Sequence, residues 1–204
     1  MKLLIVSDSH GHNELLDNLI TDYKDVDIFL HAGDSEVPAH TLFPFRVVKG
    51  NCDYYFETPK EYIIPTPFGN LLIRHKEEGN EKFMKDHDIK FYVYGHTHVK
   101  KCKKKNGICY INPGSIVYPR DGEASFAIVE IDENEAFVSF ISLETRDVIQ
   151  KFHVYMRDPN APVEETPVEK KKEPTIEDVI NALKESDEIK NIIKEEIDSE
   201  KEGE

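Results

Sequence analysis

Two histidines stand in Gly95-His96-Thr97-His98, directly after the apolar run Phe91-Tyr92-Val93-Tyr94. The same arrangement opens the chain, where Leu3-Leu4-Ile5-Val6 runs into Ser7-Asp8-Ser9-His10. It recurs as Ile28-Phe29-Leu30 before Gly33-Asp34, as Val47-Val48 before Gly50-Asn51, and as Leu71-Leu72-Ile73 before Arg74-His75. Each apolar run reads as a strand, so five strand ends deliver Asp8, His10, Asp34, Asn51, His75, His96 and His98. Carboxylate, imidazole and amide donors are ligands for divalent metal ions, which take about four to six ligands with water among them. Seven candidates overfill one ion and suit two ions that share a carboxylate. Asp34 is the candidate bridge, because it stands alone between the Asp8/His10 pair and the later ligands. Two-metal sites hold their ions ~3.5–4 Å apart and clamp the attacking and leaving oxygens of a displacement.

Any one of these histidines alone would read as a hydrogen-bonded loop residue. Their common position at strand C-termini, the edge where open α/β sheets bind ligands, points to a shared site. In an extended strand end, residues i and i+2 point the same way. Asp8 and His10 are therefore expected to converge on one point, and His96 with His98 to repeat that geometry.

The elements that must carry these ends alternate in the first half of the chain. Leu15, Leu16, Leu19, Ile20 and Tyr23 form a helical stripe, a short helix is expected around Glu36 to Leu42 where Pro38 limits its start, and Glu81 to His87 forms another with Asn80 as N-cap. Such alternation favours a sheet with parallel pairs and helices on its faces. The second half predicts antiparallel meanders. Val99–Lys105 and Ile108–Asn112 flank Asn106-Gly107, a type I′ hairpin signal; Ser125–Ile131 and Ala136–Leu143 flank Asp132-Glu133-Asn134-Glu135; Asp147–Met156 is one more strand. Two stacked sheets flanked by helices follow.

Composition changes near Arg157. Residues 1–156 read as one domain, 157–174 as a Pro/Glu/Lys-rich linker, and 175–204 as an acidic amphipathic helical tail with Ile176, Val179, Ile180 and Leu183 on one face. Net charge is −14, of which the last 48 residues supply −8. That acidity opposes general affinity for a nucleic-acid backbone. The first apolar run is too short for a signal peptide, no run approaches the ~20 residues of a membrane span, and three cysteines make no disulfide framework. The pattern is that of a reduced, cytoplasmic protein, compatible with a homo-oligomer.

In its motifs the chain resembles the calcineurin-like metallophosphoesterases, most closely the small phosphodiesterases of the YfcE type. The motifs are Asp8-Ser9-His10, Gly33-Asp34, Gly50-Asn51-Cys52-Asp53, His75, Gly95-His96-Thr97-His98 and Asn112-Pro113-Gly114-Ser115. The resemblance spans roughly residues 1 to 156. It implies a four-layer αββα sandwich in the α/β class. It also implies two divalent ions, manganese foremost with iron, nickel or zinc as alternatives. One ion would take Asp8, His10, Asp34 and His98, the other Asp34, Asn51, His75 and His96, with a bridging hydroxide as nucleophile for in-line attack on a small phosphoester.

Magnitudes favour that route over a metal-free one. A bound divalent ion brings water from pKa ~15.7 to ~7, removing about 12 kcal/mol of deprotonation cost at ~1.36 kcal/mol per unit. A lone histidine base contributes only about 3–5 kcal/mol. Two departures from the family pattern stand out. Lys76-Glu77 replace the Gly-His that follows the matching histidine in many relatives, and Cys52 stands where the broader superfamily often has a histidine that helps the leaving group. Cys52, Asn51 and His12 are candidate substrate contacts, and the general acid is unassigned. Asp53 reads as a loop cap or a partner near Asn51, Asn112-Pro113-Gly114-Ser115 as either a tight turn or a donor of N–H groups to the site, and Arg120 as a solvated loop residue. The lysines at 100, 101, 103, 104 and 105 read as a solvated hairpin guarding a sheet edge rather than a steering patch. The alternatives are a phosphomonoesterase or nucleotide phosphatase, and a protein-interaction scaffold of the same fold, like a retromer subunit.

Overall fold

The computed structural model describes residues 1–54, 57–158 and 160–168. Two sheets stack face to face. The larger has seven strands: β1 (Lys2–Val6), β2 (Ile28–His31), β3 (Arg46–Val47), β9 (Ser125–Ile131), β10 (Glu135–Ser142), β11 (Val148–Tyr155) and β12 (Val163–Thr166), in the order β12-β11-β10-β9-β1-β2-β3. The smaller has five: β4 (Glu61–Thr66), β5 (Gly69–Arg74), β6 (Ile89–Val93), β7 (Lys100–Lys105) and β8 (Ile108–Pro113), in the order β4-β5-β6-β8-β7. β1-β2-β3 pair in parallel, as do β5-β6-β8, and antiparallel strands lie outside each trio. The parallel trio is thus the centre of the smaller sheet and one end of the larger, and in each trio the strand C-termini share one edge.

Alternation along the strands builds three apolar layers. Leu3 and Ile5 of β1 join Ile73, Phe91 and Val93 in the core between the sheets, while Leu4 and Val6 face outward onto Leu16 and Leu19. Leu16 and Leu19 belong to α1 (Glu14–Asp22). Because both faces of β1 are covered, its sequence is an unbroken apolar run rather than an alternating one. On the far side Leu72 and Tyr92 pack on Met84 of α2 (Glu81–Asp86). The Asn80 side chain caps α2 by accepting from the Phe83 N–H at 2.7 Å. Asn106 and Gly107 both take positive φ, 51° and 75°, as a type I′ turn requires.

Several local expectations change. The helix expected around Glu36 to Leu42 is a single 3₁₀ turn, Ala39–Leu42, since Pro38 is extended at ψ 129°. β4 carries Pro65, whose lost N–H is tolerable because β4 is an edge strand. The stretch 157–174 contains β12, which extends the large sheet at its edge against β11. The helical tail at 175–204 lies outside the described residues. Among the described residues, no helix is long and apolar enough to cross a membrane.

Candidate metal centre

All five motif-bearing loops leave the shared edge of the two parallel trios. Those of Asp8 and Asp34 continue the β1–β2 ladder beyond its last strand residues: Asp8 N–H donates to Gly33 O, His10 N–H to Asp34 O and Gly11 N–H to Ser35 O, each at 3.0 Å. The loops are not extended, however. Asp8, His10, Asp34, His96 and His98 all hold φ between 44° and 65°, a left-handed conformation that costs non-glycine residues energy and concentrates at functional sites. Glycines let the loops meet. A Cβ on Gly50 would sit 2.1 Å from Asp34 Oδ1, and one on Gly95 would sit 1.8 Å from Ser7 Oγ.

This geometry brings the seven candidates together but corrects one expectation. Asp8 and His10 do converge, and His98 joins them, their donor atoms lying within 4.8 Å of one another. His96 turns to the other side and groups with Asp34 and His75 within the same span. The two histidines of Gly95-His96-Thr97-His98 therefore serve different clusters, as the family resemblance implies and against the i, i+2 expectation, which assumes an extended strand end where both are left-handed. Asn51 stands beside the second cluster, its Oδ1 3.0 Å from His75 Nε2. Asp34 Oδ2 is 3.2 Å from His75 Nε2, and its Oδ1 accepts the Cys52 N–H at 2.7 Å.

Three of the four imidazoles are aimed by their other nitrogen. His75 Nδ1 donates to Ala32 O and His98 Nδ1 to Tyr118 O, both at 2.8 Å, and His10 Nδ1 meets Glu36 Oε1 at 2.5 Å. That pattern is the one metal-bound histidines use to fix tautomer and ring orientation. It leaves His10 Nε2 buried without a partner, and Asp8 Oδ1 as well, 3.2 Å from His98 Nε2 but in no hydrogen bond. Unpaired buried groups of this kind cost about 1–3 kcal/mol each, which a cation between them would offset. The residues present thus fit divalent ions.

Electrostatics agree. Burial raises the Asp8 carboxyl above its ordinary pKa. Burial also opposes charge on Asp34 and His75, yet their contact holds Asp34 down to about 2 and raises His75. Burial, then the neighbouring His75 and Lys76, lower His96. Cys52 is pushed up to about 11 by burial and by Asp34, so it stays a thiol. Its side chain nevertheless lies with His10 and Glu36, donor atoms within 4.8 Å. His12 is exposed and faces Glu14 at 3.3 Å, away from both clusters.

Four supporting residues escaped the sequence reading or were left open by it. Asp53, 1% exposed, accepts from Asp34 N–H (3.0 Å) and Gly50 N–H (2.7 Å) through Oδ2, and from Glu36 N–H (2.7 Å) through Oδ1. His31 is fully buried. Its Nδ1 accepts the Gly33 N–H at 3.1 Å, so the proton sits on Nε2 and donates to Ser9 Oγ at 2.9 Å; burial lowers its pKa to about 4. Asn112 donates to Gly95 O and Thr97 Oγ1 at 2.8 and 3.0 Å, and Ser115 Oγ donates to Asp8 O at 2.9 Å. The Asn112–Ser115 turn is therefore a brace for two ligand loops.

The family model of the calcineurin-like phosphoesterase superfamily domain matches residues 1–134. A probable metallophosphoesterase of Bacillus subtilis, YsnB, is 32% identical over 155 residues, spanning 69% of this chain and 90% of that one. A crystal structure from Streptococcus pneumoniae, described as a predicted phosphoesterase, superposes with a TM-score of 0.65 at 28% identity and covers 81% of this chain and 96% of its own. The phosphoesterase YfcE of E. coli shares the fold at a TM-score of 0.58 and 22% identity, covering 74% and 98%.

Proposed function

Because the chain belongs to the calcineurin-like phosphoesterase superfamily, we propose that the two clusters form the active site of a dinuclear metal-dependent phosphodiesterase. The observation that carries this reading is the pair of donor groups, Asp8/His10/His98 and Asp34/His75/His96, with Asp8 Oδ1 and His10 Nε2 of the first group buried and unpaired among the described residues. Asp34 would bridge and Asn51 would complete the second group. Two divalent ions, manganese foremost, would supply acidified water as the nucleophile and neutralise the phosphoryl oxygens.

The chain's own residues do the rest. Ala32 O, Tyr118 O and Glu36 hold His75, His98 and His10 in the tautomer that frees Nε2 for a ligand bond. Asp53 and His31 fix the loops so that the carboxylates of Asp8 and Asp34 face each other's cluster without reorganisation. Cys52, neutral at working pH, is a neighbour of the site rather than an attacking thiolate. Residues 1–156 would carry the activity, with the tail as an appendage.

The test joins metal analysis of the purified protein to turnover of bis(4-nitrophenyl) phosphate and 4-nitrophenyl phosphate after manganese loading. About two ions per chain and faster diester turnover are expected. Preference for the monoester would make the protein a phosphomonoesterase. A metal-loaded chain that turns over neither would favour the scaffold.

A further inference from the structure

A cleft of ≈ 420 Å³ opens beside Asn51 and His75. Its charged lining is Lys49, Lys60, Arg74 and Lys76 against Glu61 and Glu78. Arg74 is already committed: its Nε donates to Glu61 Oε2 at 2.5 Å and its guanidinium to Glu78 O at 2.9 Å. The ammonium groups of Lys49, Lys60 and Lys76 have no carboxylate partner among the described residues. Four other lysines do find carboxylate partners, in Lys2–Asp25, Lys90–Asp88, Lys100–Asp121 and Lys103–Glu77.

What sets Lys49, Lys60 and Lys76 apart is that all three line one cleft, in a chain of net charge −14. Converging like charges repel unless an anion sits between them. The reacting phosphate is already matched by two divalent ions set against Asp8 and Asp34. Charge beyond that serves another anionic group. Lys49 lies two residues before Asn51 and Lys76 one after His75, so that group must sit close to the second cluster. The size of the cleft falls within the range of small-molecule sites, about 300–1,000 Å³.

We infer that this cleft binds a second phosphate of the substrate, so that the enzyme prefers phosphodiesters one of whose arms carries a further phosphoryl group. The inference rests on the phosphodiesterase reading above. Its test uses the full chain, loaded with manganese, and two esters that break the same bond and release the same 4-nitrophenolate: thymidine 5′-(4-nitrophenyl phosphate) and its 3′-phosphorylated counterpart. KM is expected to be about tenfold lower for the phosphorylated ester, equivalent to about 1.4 kcal/mol, and the advantage shrinks as salt is raised. In the K49Q/K60Q/K76Q variant the two esters converge, and the single K76Q variant loses part of the preference. A second readout needs no turnover. Inorganic pyrophosphate titrated calorimetrically into the chelator-treated protein should bind the wild type about tenfold or more tighter than the triple variant. Equal kcat/KM for the two esters in an active wild type, or pyrophosphate affinity unmoved by the three substitutions, overturns the inference. A metal-loaded chain inert toward both esters and toward bis(4-nitrophenyl) phosphate overturns the phosphodiesterase reading instead, and the pyrophosphate titration then decides the cleft by itself.

Discussion

Asp8, His10 and Asp34 leave the seven-stranded sheet on loops held chiefly by ionisable side chains, whereas His75, His96 and His98 leave the five-stranded sheet on loops held chiefly by neutral groups. On the first side a buried carboxylate, Asp53, gathers three backbone N–H groups, a buried imidazole, His31, links Ser9 to Gly33, and Glu36 aims His10. On the second side the main-chain carbonyls of Ala32 and Tyr118 aim His75 and His98, and the Asn112 amide braces Gly95 and Thr97. Hydrogen bonds to a charged group are worth about 1.5–3 kcal/mol and ordinary ones about 0.5–1.5. The first side thus leans on charged hydrogen bonds that pH and salt can weaken; the second leans chiefly on neutral ones, with the Asp8 carboxylate accepting the His96 N–H at 3.1 Å as its charged exception.

The sharpest way to break this contrast is at Asp34, which leaves the first sheet yet touches a histidine of the second, His75, at 3.2 Å, as Asp8 touches His98. Asp34→Asn removes the proposed bridge. Losing several kcal/mol of transition-state charge stabilisation corresponds to about 10³-fold or more in kcat/KM. Metal content measured on the purified variant should fall together with turnover. Full turnover with both ions retained would mean that the two sides work independently.

The supports come next. Asp53→Asn turns an amide NH₂ toward N–H groups that now meet an oxygen, losing about two charge-assisted bonds, or about 3–5 kcal/mol of stability. Asn112→Ala removes only neutral bonds and should cost about 1–3 kcal/mol. Urea unfolding of both variants in chelator gives the ranking, and an equal or larger loss for Asn112→Ala would reverse the proposed division of labour.

What the sequence made legible follows the same division. The seven ligands stand in short local motifs after apolar runs, so residue type and order sufficed to find them. Asp53 was read as a loop cap or a partner near Asn51, and His31 not at all, because the bonds that tie them to the other ligand loops reach 17 to 22 residues along the chain and a histidine in a strand looks like any buried one. The parallel trios, the Asn106-Gly107 hairpin and the Asn80 cap were legible from periodicity and turn chemistry. β4 was missed because Pro65 interrupts its pattern, and β12 because charged residues at an exposed edge read as linker. The partition of His96 from His98 was implied by the family resemblance but not by spacing, whose i, i+2 rule assumes an extended backbone that neither histidine has.

A smaller effect separates the sides by pH. His31 has its pKa lowered to about 4 by burial, against an ordinary value near 6.5. The unfolded chain therefore takes up a proton between pH ~6.5 and ~4 that the folded chain refuses. The His31 contribution is complete above that window and falls by about 3 kcal/mol across it. Asp34, held down to about 2, loses its contribution only at lower pH, and His75, whose pKa is raised, runs in the opposite direction. The His31 share is therefore read as a difference. His31→Gln, uncharged at every pH, should flatten the fall in unfolding free energy between pH 7 and 4.5 in chelator, and an unchanged slope would remove His31 from the account.

The smallest effect tests whether exposure limits the ionisable supports. Glu36 meets His10 at 2.5 Å, but its side chain is 42% exposed, so water and salt screen the pair. Glu36→Gln keeps an oxygen that can still accept from His10 Nδ1 and removes only the charge. Changing a group that orients a metal-binding histidine costs about 10- to 100-fold in affinity. Screening and the retained acceptor place this one at about tenfold, confined to the Asp8/His10/His98 cluster. Competition titration with a metal indicator should show one of two binding steps weakened, and the gap from wild type should narrow as ionic strength rises. The Asp34/His75/His96 step should not move, because the carbonyl that aims His75 carries no net charge to screen. Weakening of both steps together would mean that the clusters share one electrostatic environment, and the contrast between the two sheets would then be one of geometry alone.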